Sequence, residues 1–120
     1  MSLQSTAHQF VEMCNQLKNF EVMRTLYAPD IVSVEGDGTE TTGQQPVIHK
    51  SEMWQANNTI HSEHVRGPFF NGPNHFAVYF TFEITRKGTG KRETIEEVGI
   101  YTVNQEDKII REEFFYEGEH

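Results

Sequence analysis

The chain has 120 residues, 18 of them aspartate or glutamate against 10 lysine or arginine, for a net charge of −8; this length suits one domain, residues 1–120, hiding about two-thirds of its unfolded surface. The acidity argues against nucleic acid or an anionic membrane as partner, because phosphates attract basic faces; no apolar run reaches the roughly 18 residues of a membrane span, and no basic-then-apolar leader opens the chain. Cys14 is the one cysteine, so an internal disulfide and a CxxC metal or redox site are both excluded, and the expected setting is the cytoplasm.

Met1-Ser2-Leu3 and Glu119-His120 read as additions outside the fold. Ser5 or Thr6 then caps a first helix whose apolar stripe is Phe10, Val11, Cys14 and Leu17. A second helix follows the link at Asn19 and Phe20, buries Val22, Met23, Leu26 and Tyr27, and stops at Pro29, since the residue before proline is pushed out of the helical region. Ile31 to Glu35 is a strand closed by the turn Gly36-Asp37-Gly38.

After Gly43 a third helix spans Gln44 to Asn58, with Pro46 tolerated in its first turn. Val47, Lys50, Ser51 and Trp54 share one face of it. The remainder is strand-like. His61 to Phe70 leads to a turn at Asn71-Gly72-Pro73, and Phe76, Val78, Phe80, Phe82 and Ile84 then alternate with the residues between them. A hairpin at Gly88 to Gly90 precedes a strand from Glu93 to Val103, and Gln105-Glu106-Asp107 turns into a last strand, Lys108 to Glu117. Helices first and hairpin-linked strands afterwards predict an α+β fold: a cone-shaped, curved antiparallel sheet packed against three N-terminal helices.

A cone keeps an interior cavity where its lining is not fully packed, and strand parity says what lines it. Ile95, Glu97, Gly99, Tyr101 and Val103 share one face, and Ile110, Glu112, Phe114 and Tyr116 share one face of the last strand. Both faces of these strands are mixed, so one is expected to face the cavity and the other a partner subunit. Glu35, Glu97 and Glu112 are the candidate acids, because burial raises a carboxyl pKa and a positioned carboxylate moves a proton on carbon beside a carbonyl. Solvated or ion-paired glutamates are the plainer reading. Tyr101 and Tyr116 are candidate donors to a ligand oxygen, or else packed rings with locally satisfied hydroxyls.

Taken in order, Leu26-Tyr27-Ala28-Pro29-Asp30 running into Ile31-Val32-Ser33-Val34-Glu35, Gly43 before the third helix, the aromatic strand Phe76 to Thr85 and the closing Val103-Asn104-Gln105-Glu106-Asp107-Lys108-Ile109-Ile110 resemble the nuclear-transport-factor-2-like superfamily over residues 5–117. That superfamily includes ketosteroid isomerases and SnoaL-like polyketide cyclases. The resemblance implies three helices on a curved sheet and homodimers formed through the open sheet face. It also places Glu35 where such isomerases carry their proton-shuttling aspartate. Their oxyanion-binding tyrosine falls near Phe10 or Val11 and their protonated aspartic acid at Gly99, so two of the three parts of that pattern are missing. Tyr101, Tyr116, His61 and Trp54 are the residues from which a replacement donor would come.

His61 shares parity with Val65 and Phe69 and is expected to look inward, whereas His64 points to the other face, so the two do not share a metal. No metal site and no cofactor are expected. Cys14 reads as a small core residue. Trp54 serves as packing or as cavity wall, Lys50 pairs with a glutamate such as Glu35 or Glu97 or neutralises a ligand acid, and the basic tip Lys87 to Arg92 is a solvated loop. The expected function is binding of a small, mostly apolar organic molecule by a cofactor-free isomerase, cyclase or hydrolase. Glu35 is its general base, and Trp54, His61, Glu97, Tyr101, Glu112 and Tyr116 contact the ligand. A non-catalytic ligand-binding or dimerisation module is the alternative, and an accessory subunit that binds protein through its open sheet face is a third reading.

Overall fold

The computed structural model describes residues 2–118. Helix α1 runs Leu3–Asn15, and its cap is Ser2 rather than Ser5 or Thr6. The Ser5 backbone N–H donates to Ser2 Oγ at 3.2 Å and the Ser2 N–H donates to Ser5 Oγ at 3.0 Å, a reciprocal pair that satisfies two otherwise free donors. Ser2 and Leu3 therefore belong to the fold; Met1, Glu119 and His120 lie outside the described residues. Phe10 and Cys14 are buried on this helix, but Leu17 falls past its end with φ 62° and is 66% exposed, so it leaves the expected stripe.

Helix α2 is Asn19–Thr25, two residues shorter than its apolar pattern suggests. Leu26 and Tyr27 are buried as expected, yet Tyr27 already opens strand β1, Tyr27–Val34. Pro29 stands inside that strand rather than at a helix end. It donates no backbone hydrogen bond, and the parallel register between β1 and the last strand is broken between Tyr27 and Val32, where the proline sits. A turn with Gly38 at φ 89° leads to β2, Glu40–Thr42, a strand too short to show a pattern in the sequence. Gly43, at φ 104°, then caps α3, Gln44–Asn57. That backbone conformation favours glycine, which lacks the Cβ that would clash.

The remaining strands are β3 (Asn58–Phe70), β4 (His75–Arg86), β5 (Arg92–Val103) and β6 (Ile109–Phe115). They form one six-stranded sheet in the order β2-β1-β6-β5-β4-β3. The sheet is curved and unclosed, and α1 and α3 pack onto it. It differs from the expected sheet in one pairing: β1 runs parallel to β6, whereas the others are antiparallel. The chain joins β1 to β6 only after four more strands and α3, so nothing forces those two to oppose each other.

The alternation in β4 behaves as read, with Phe76, Val78, Phe80, Phe82 and Ile84 all buried. Phe76 stacks on Tyr101 at 5.1 Å between ring centroids, and Phe10 of α1 tilts onto the same ring at 4.5 Å. Burying one such side chain contributes about 1.5–3 kcal/mol, so this aromatic cluster anchors helix to sheet. Asn15 completes the join, donating to the Val65 carbonyl at 3.0 Å and accepting from the Val65 N–H at 2.8 Å.

Candidate functional site

The cluster fills only part of the space beneath the sheet. Beside it lies a cavity of about 540 Å³, within the range typical of small-molecule sites. Its wall is mostly aromatic and aliphatic, supplied by residues such as Phe80, Phe82, Ile95 and Phe114, with a polar group at one end. Trp54 on α3 is half-buried, lies 6.2 Å from Phe82 and lines the cavity, so it serves both roles read for it.

The polar end is assembled by alternation along three elements. On β1 and just after it, Ile31, Ser33 and Glu35 point inward. On α3, Lys50 lies one turn before Trp54 and reaches down between them. Its Nζ donates to Ser33 Oγ at 2.7 Å and to Glu35 Oε1 at 2.5 Å. Tyr116, just past β6, donates to Glu35 Oε2 at 3.4 Å. The pairing of Lys50 with Glu35 is one of those the sequence suggested.

Behind this pair lies a buried polar chain. Glu112 on β6 is 2% exposed. It accepts from the Tyr27 hydroxyl, with Ser33 and Tyr101 beside the pair. Burial pushes the Glu112 carboxyl above its ordinary range, and the hydrogen bonds from Tyr27 and Ser33, with the Lys50 charge, pull it partly back. Burial also raises both phenols, the Glu112 charge adding to the effect. Tyr101 and Glu112 therefore sit in the floor of the cavity, Glu112 held there by Tyr27.

Glu97 is different. It lies on β5 and lines the cavity. Burial raises its pKa to about 8, and the charges of Glu35, Glu112 and Glu63 add to the rise while Lys50 opposes it. At neutral pH this side chain is a carboxylic acid, able to donate a hydrogen bond into the cavity. Gly99, two residues on, leaves the space that the Tyr101 ring fills: a Cβ built there would lie 2.8 Å from Tyr101 and 2.9 Å from Phe80. The position that the resemblance assigned to a protonated aspartic acid is thus closed by a ring, and the protonated acid stands one inward position earlier.

His61 does not join the site. It is exposed and its Nε2 lies 2.6 Å from Thr85 Oγ1. Register shifts between Ile60, which pairs with Ile84, and Ser62, which pairs with Glu83, so His61 is the extra residue of a bulge. Strict alternation fails across such a bulge. Ile60 faces the cavity instead, and Glu63 lies near it with its carboxyl raised by burial to about 7. The same cause shifts β6, where the register slips at Val103–Ile109. Ile109 becomes core and Ile110 leaves the face it was expected to share with Glu112. The strand parity that pointed to Val65 points to Glu63 as well, and Ser33 is the inward neighbour of Glu35; both were available in the sequence.

A family model described as a SnoaL-like domain matches residues 1–116. The crystal structure of a protein from Mesorhizobium loti, assigned as a SnoaL-like polyketide cyclase, is 37% identical, with a TM-score of 0.91 over 97% of this chain and 100% of that one. A Mycobacterium tuberculosis protein in complex with estradiol-17β-hemisuccinate is 21% identical, with a TM-score of 0.75 over 98% of this chain and 95% of that one. A computationally designed 17-OHP binder is 20% identical, with a TM-score of 0.73 over 98% and 95% of the two chains. No match was found among curated protein sequences.

The raised Glu97 pKa has a consequence for stability. The native state holds that proton up to about pH 8, whereas an unfolded chain releases it near 4.5. Between those values the native state binds more protons than the unfolded one, so this group's contribution falls as pH rises and levels off above 8. Glu97→Gln removes the loss. The melting temperature of the variant relative to wild type is expected to climb by several degrees from pH 5 to pH 8.5, read by thermal denaturation. Parallel curves for the two proteins would contradict the assignment.

Proposed function

The chain belongs to the SnoaL-like domain family, and from that premise we propose that its cavity binds a small, mostly apolar organic molecule carrying a carbonyl and moves a proton on it. The observation that carries this reading is the meeting, in one hollow of about 540 Å³, of the Lys50–Glu35 pair with a Glu97 that keeps its proton to about pH 8. A base and a neutral acid with different environments are what proton transfer beside a carbonyl requires.

In this reading the ligand oxygen accepts a hydrogen bond from the Glu97 carboxylic acid. Glu35 takes a proton from the neighbouring carbon through Oε2 while Lys50 holds Oε1 in place. The C–H electron pair becomes the carbon–carbon double bond and the carbonyl π pair moves onto oxygen, giving an enolate whose charge Glu97 and the Lys50 ammonium stabilise. Return of the proton to a different carbon isomerises the ligand; attack of the enolate carbon on a second carbonyl of the same molecule closes a ring, and the alkoxide formed takes the proton back from Glu35. Trp54 and Tyr116 bound the ligand, and Tyr101 and Glu112 hold the floor. The steroid-type ligands named for the Mycobacterium tuberculosis protein and the designed binder support a polycyclic, apolar body of this size.

A non-catalytic binding role is the second reading. It is favoured by Phe10 and Gly99, which cannot supply the oxyanion contacts of the isomerases that the chain resembles, and by the Tyr101 ring over Gly99. The exchange of α-hydrogens of 2-tetralone in D2O, followed by NMR, separates the two. Wild type is expected to speed the exchange, and Glu35→Gln to slow it by about 10²–10⁴-fold with little change in binding. Binding without any acceleration by wild type would make the protein a carrier.

We further propose that two copies pair through the sheet face opposite the cavity. Phe115 is 54% exposed there, beside half-buried Val98 and Ile100. Its apolar surface is what an interface core needs. Among the described residues no helix is long and apolar enough to cross a membrane, and a lone buried cysteine suits a reducing, cytoplasmic setting. Sedimentation of wild type at micromolar concentration is expected to give a dimer, and Phe115→Glu with Ile100→Glu a monomer. A monomeric wild type would rule out the pairing.

A further inference from the structure

The cavity does not end at its aromatic wall. A second hollow of about 350 Å³ adjoins it, and Asn19, Gln55 and Ile60 line both. Besides exposed Leu17, its other walls are polar or charged: Asn58, Thr59, Glu63 and Lys87. Three observations give it a chemical sense. Asn58 is 6% exposed and donates its amide N–H to the Trp54 carbonyl at 2.9 Å, leaving its amide oxygen buried without a donor. Asn19 donates to Glu63 Oε2 at 3.0 Å, and its amide oxygen is likewise buried without a donor. Glu63 itself supplies carboxyl acceptors. A native interior seldom leaves such acceptors unpaired, because each forfeits its hydration for nothing.

Building on the binding role proposed above, we infer that this polar annex seats a hydrogen-bond-donating end, a hydroxyl or an ammonium, of a ligand whose apolar body lies in the main cavity. The ligand class is then narrower than a carbonyl compound of suitable size. It is an elongated amphiphile with an acceptor at the Glu97 end and a donor at the Asn58 end. An anionic terminus is disfavoured, since it would meet Glu63 and two amide oxygens. Lys87, exposed at the rim, is the one cation among the annex-lining residues. Burial of Glu63, which raises its carboxyl to about 7, fits a group that gains from a nearby ammonium.

The test uses alkyl phenyl ketones with chains of graded length, each ending in methyl, hydroxyl or amine, with affinities measured by calorimetry against wild type, Glu63→Gln and Asn58→Leu. At the best chain length the hydroxyl- or amine-ended ketone is expected to bind wild type about tenfold more tightly than its methyl counterpart. Both variants should reduce that advantage at least several-fold while leaving the methyl ketone's affinity unchanged. Glu63→Gln, the gentler change, carries the test should Asn58→Leu fail to fold. A preference for the amine over the hydroxyl identifies the donor as an ammonium, and the reverse identifies it as neutral; either supports the annex. Methyl-ended ketones that bind as tightly as donor-ended ones, or a donor advantage that survives Glu63→Gln and any folded Asn58→Leu protein, overturn the annex and leave the main cavity standing. If no ketone of any kind binds, the cavity reading falls and the annex with it.

Discussion

Four acidic side chains, Glu35, Asp37, Glu97 and Glu112, border the main cavity against one cation, Lys50. Burying a carboxylate away from water costs more than most single interactions return, so each acid must find a partner, stay in solvent or keep its proton. Glu35 takes the ammonium. Asp37 stays at the surface, and hydrogen bonds from Thr39 hold its carboxyl below the ordinary range. Glu112 disappears beneath Tyr27 and Ser33, and burial makes Glu97 hold its proton to about pH 8. This allocation of a single positive charge sets the chemistry that the rest of the structure serves.

The hollow exists because the aromatic cluster is gathered to one side. Phe10, Phe76 and Tyr101 pack among themselves, with Tyr101 folded over Gly99. A larger side chain at position 99 would drive that ring away and change the cavity floor. Toward α3 the packing opens, because that helix buries only Val47 and Ile48 fully and presents Lys50, Ser51 and Trp54 to the cavity. Stability is thus concentrated under α1, and the reactive groups lie under α3.

Much of this was legible in the sequence, and the failures share causes. The aromatic alternation of β4 and the inward parity of Glu97 and Tyr101 are properties of an unbroken strand, where a period of two holds from end to end. His61 and Ile110 failed because each is the extra residue of a bulge, and a bulge depends on the neighbouring strand rather than on local pattern. The short β2 and the early end of α2 were invisible for a related reason: three residues carry no periodicity, and burial of Leu26 and Tyr27 looks alike in a helix or at a strand's start. The Lys50–Glu35 pair could be suggested as one option among several, but only the fold decides which glutamate α3 approaches. The burial of Tyr27 was legible, but its bond to Glu112 and that of Asn19 to Glu63 join residues distant in sequence and gave no local signal.

The central claim is that an acid inside an apolar hollow keeps its proton at neutral pH. Titration of the glutamate side-chain carboxyl carbons by NMR, with Glu97 assigned through Glu97→Gln, tests it most directly. The account predicts a midpoint for Glu97 of about 8. A midpoint close to 4.5, the value of an ordinary glutamate, would show that water reaches the group and would contradict the account.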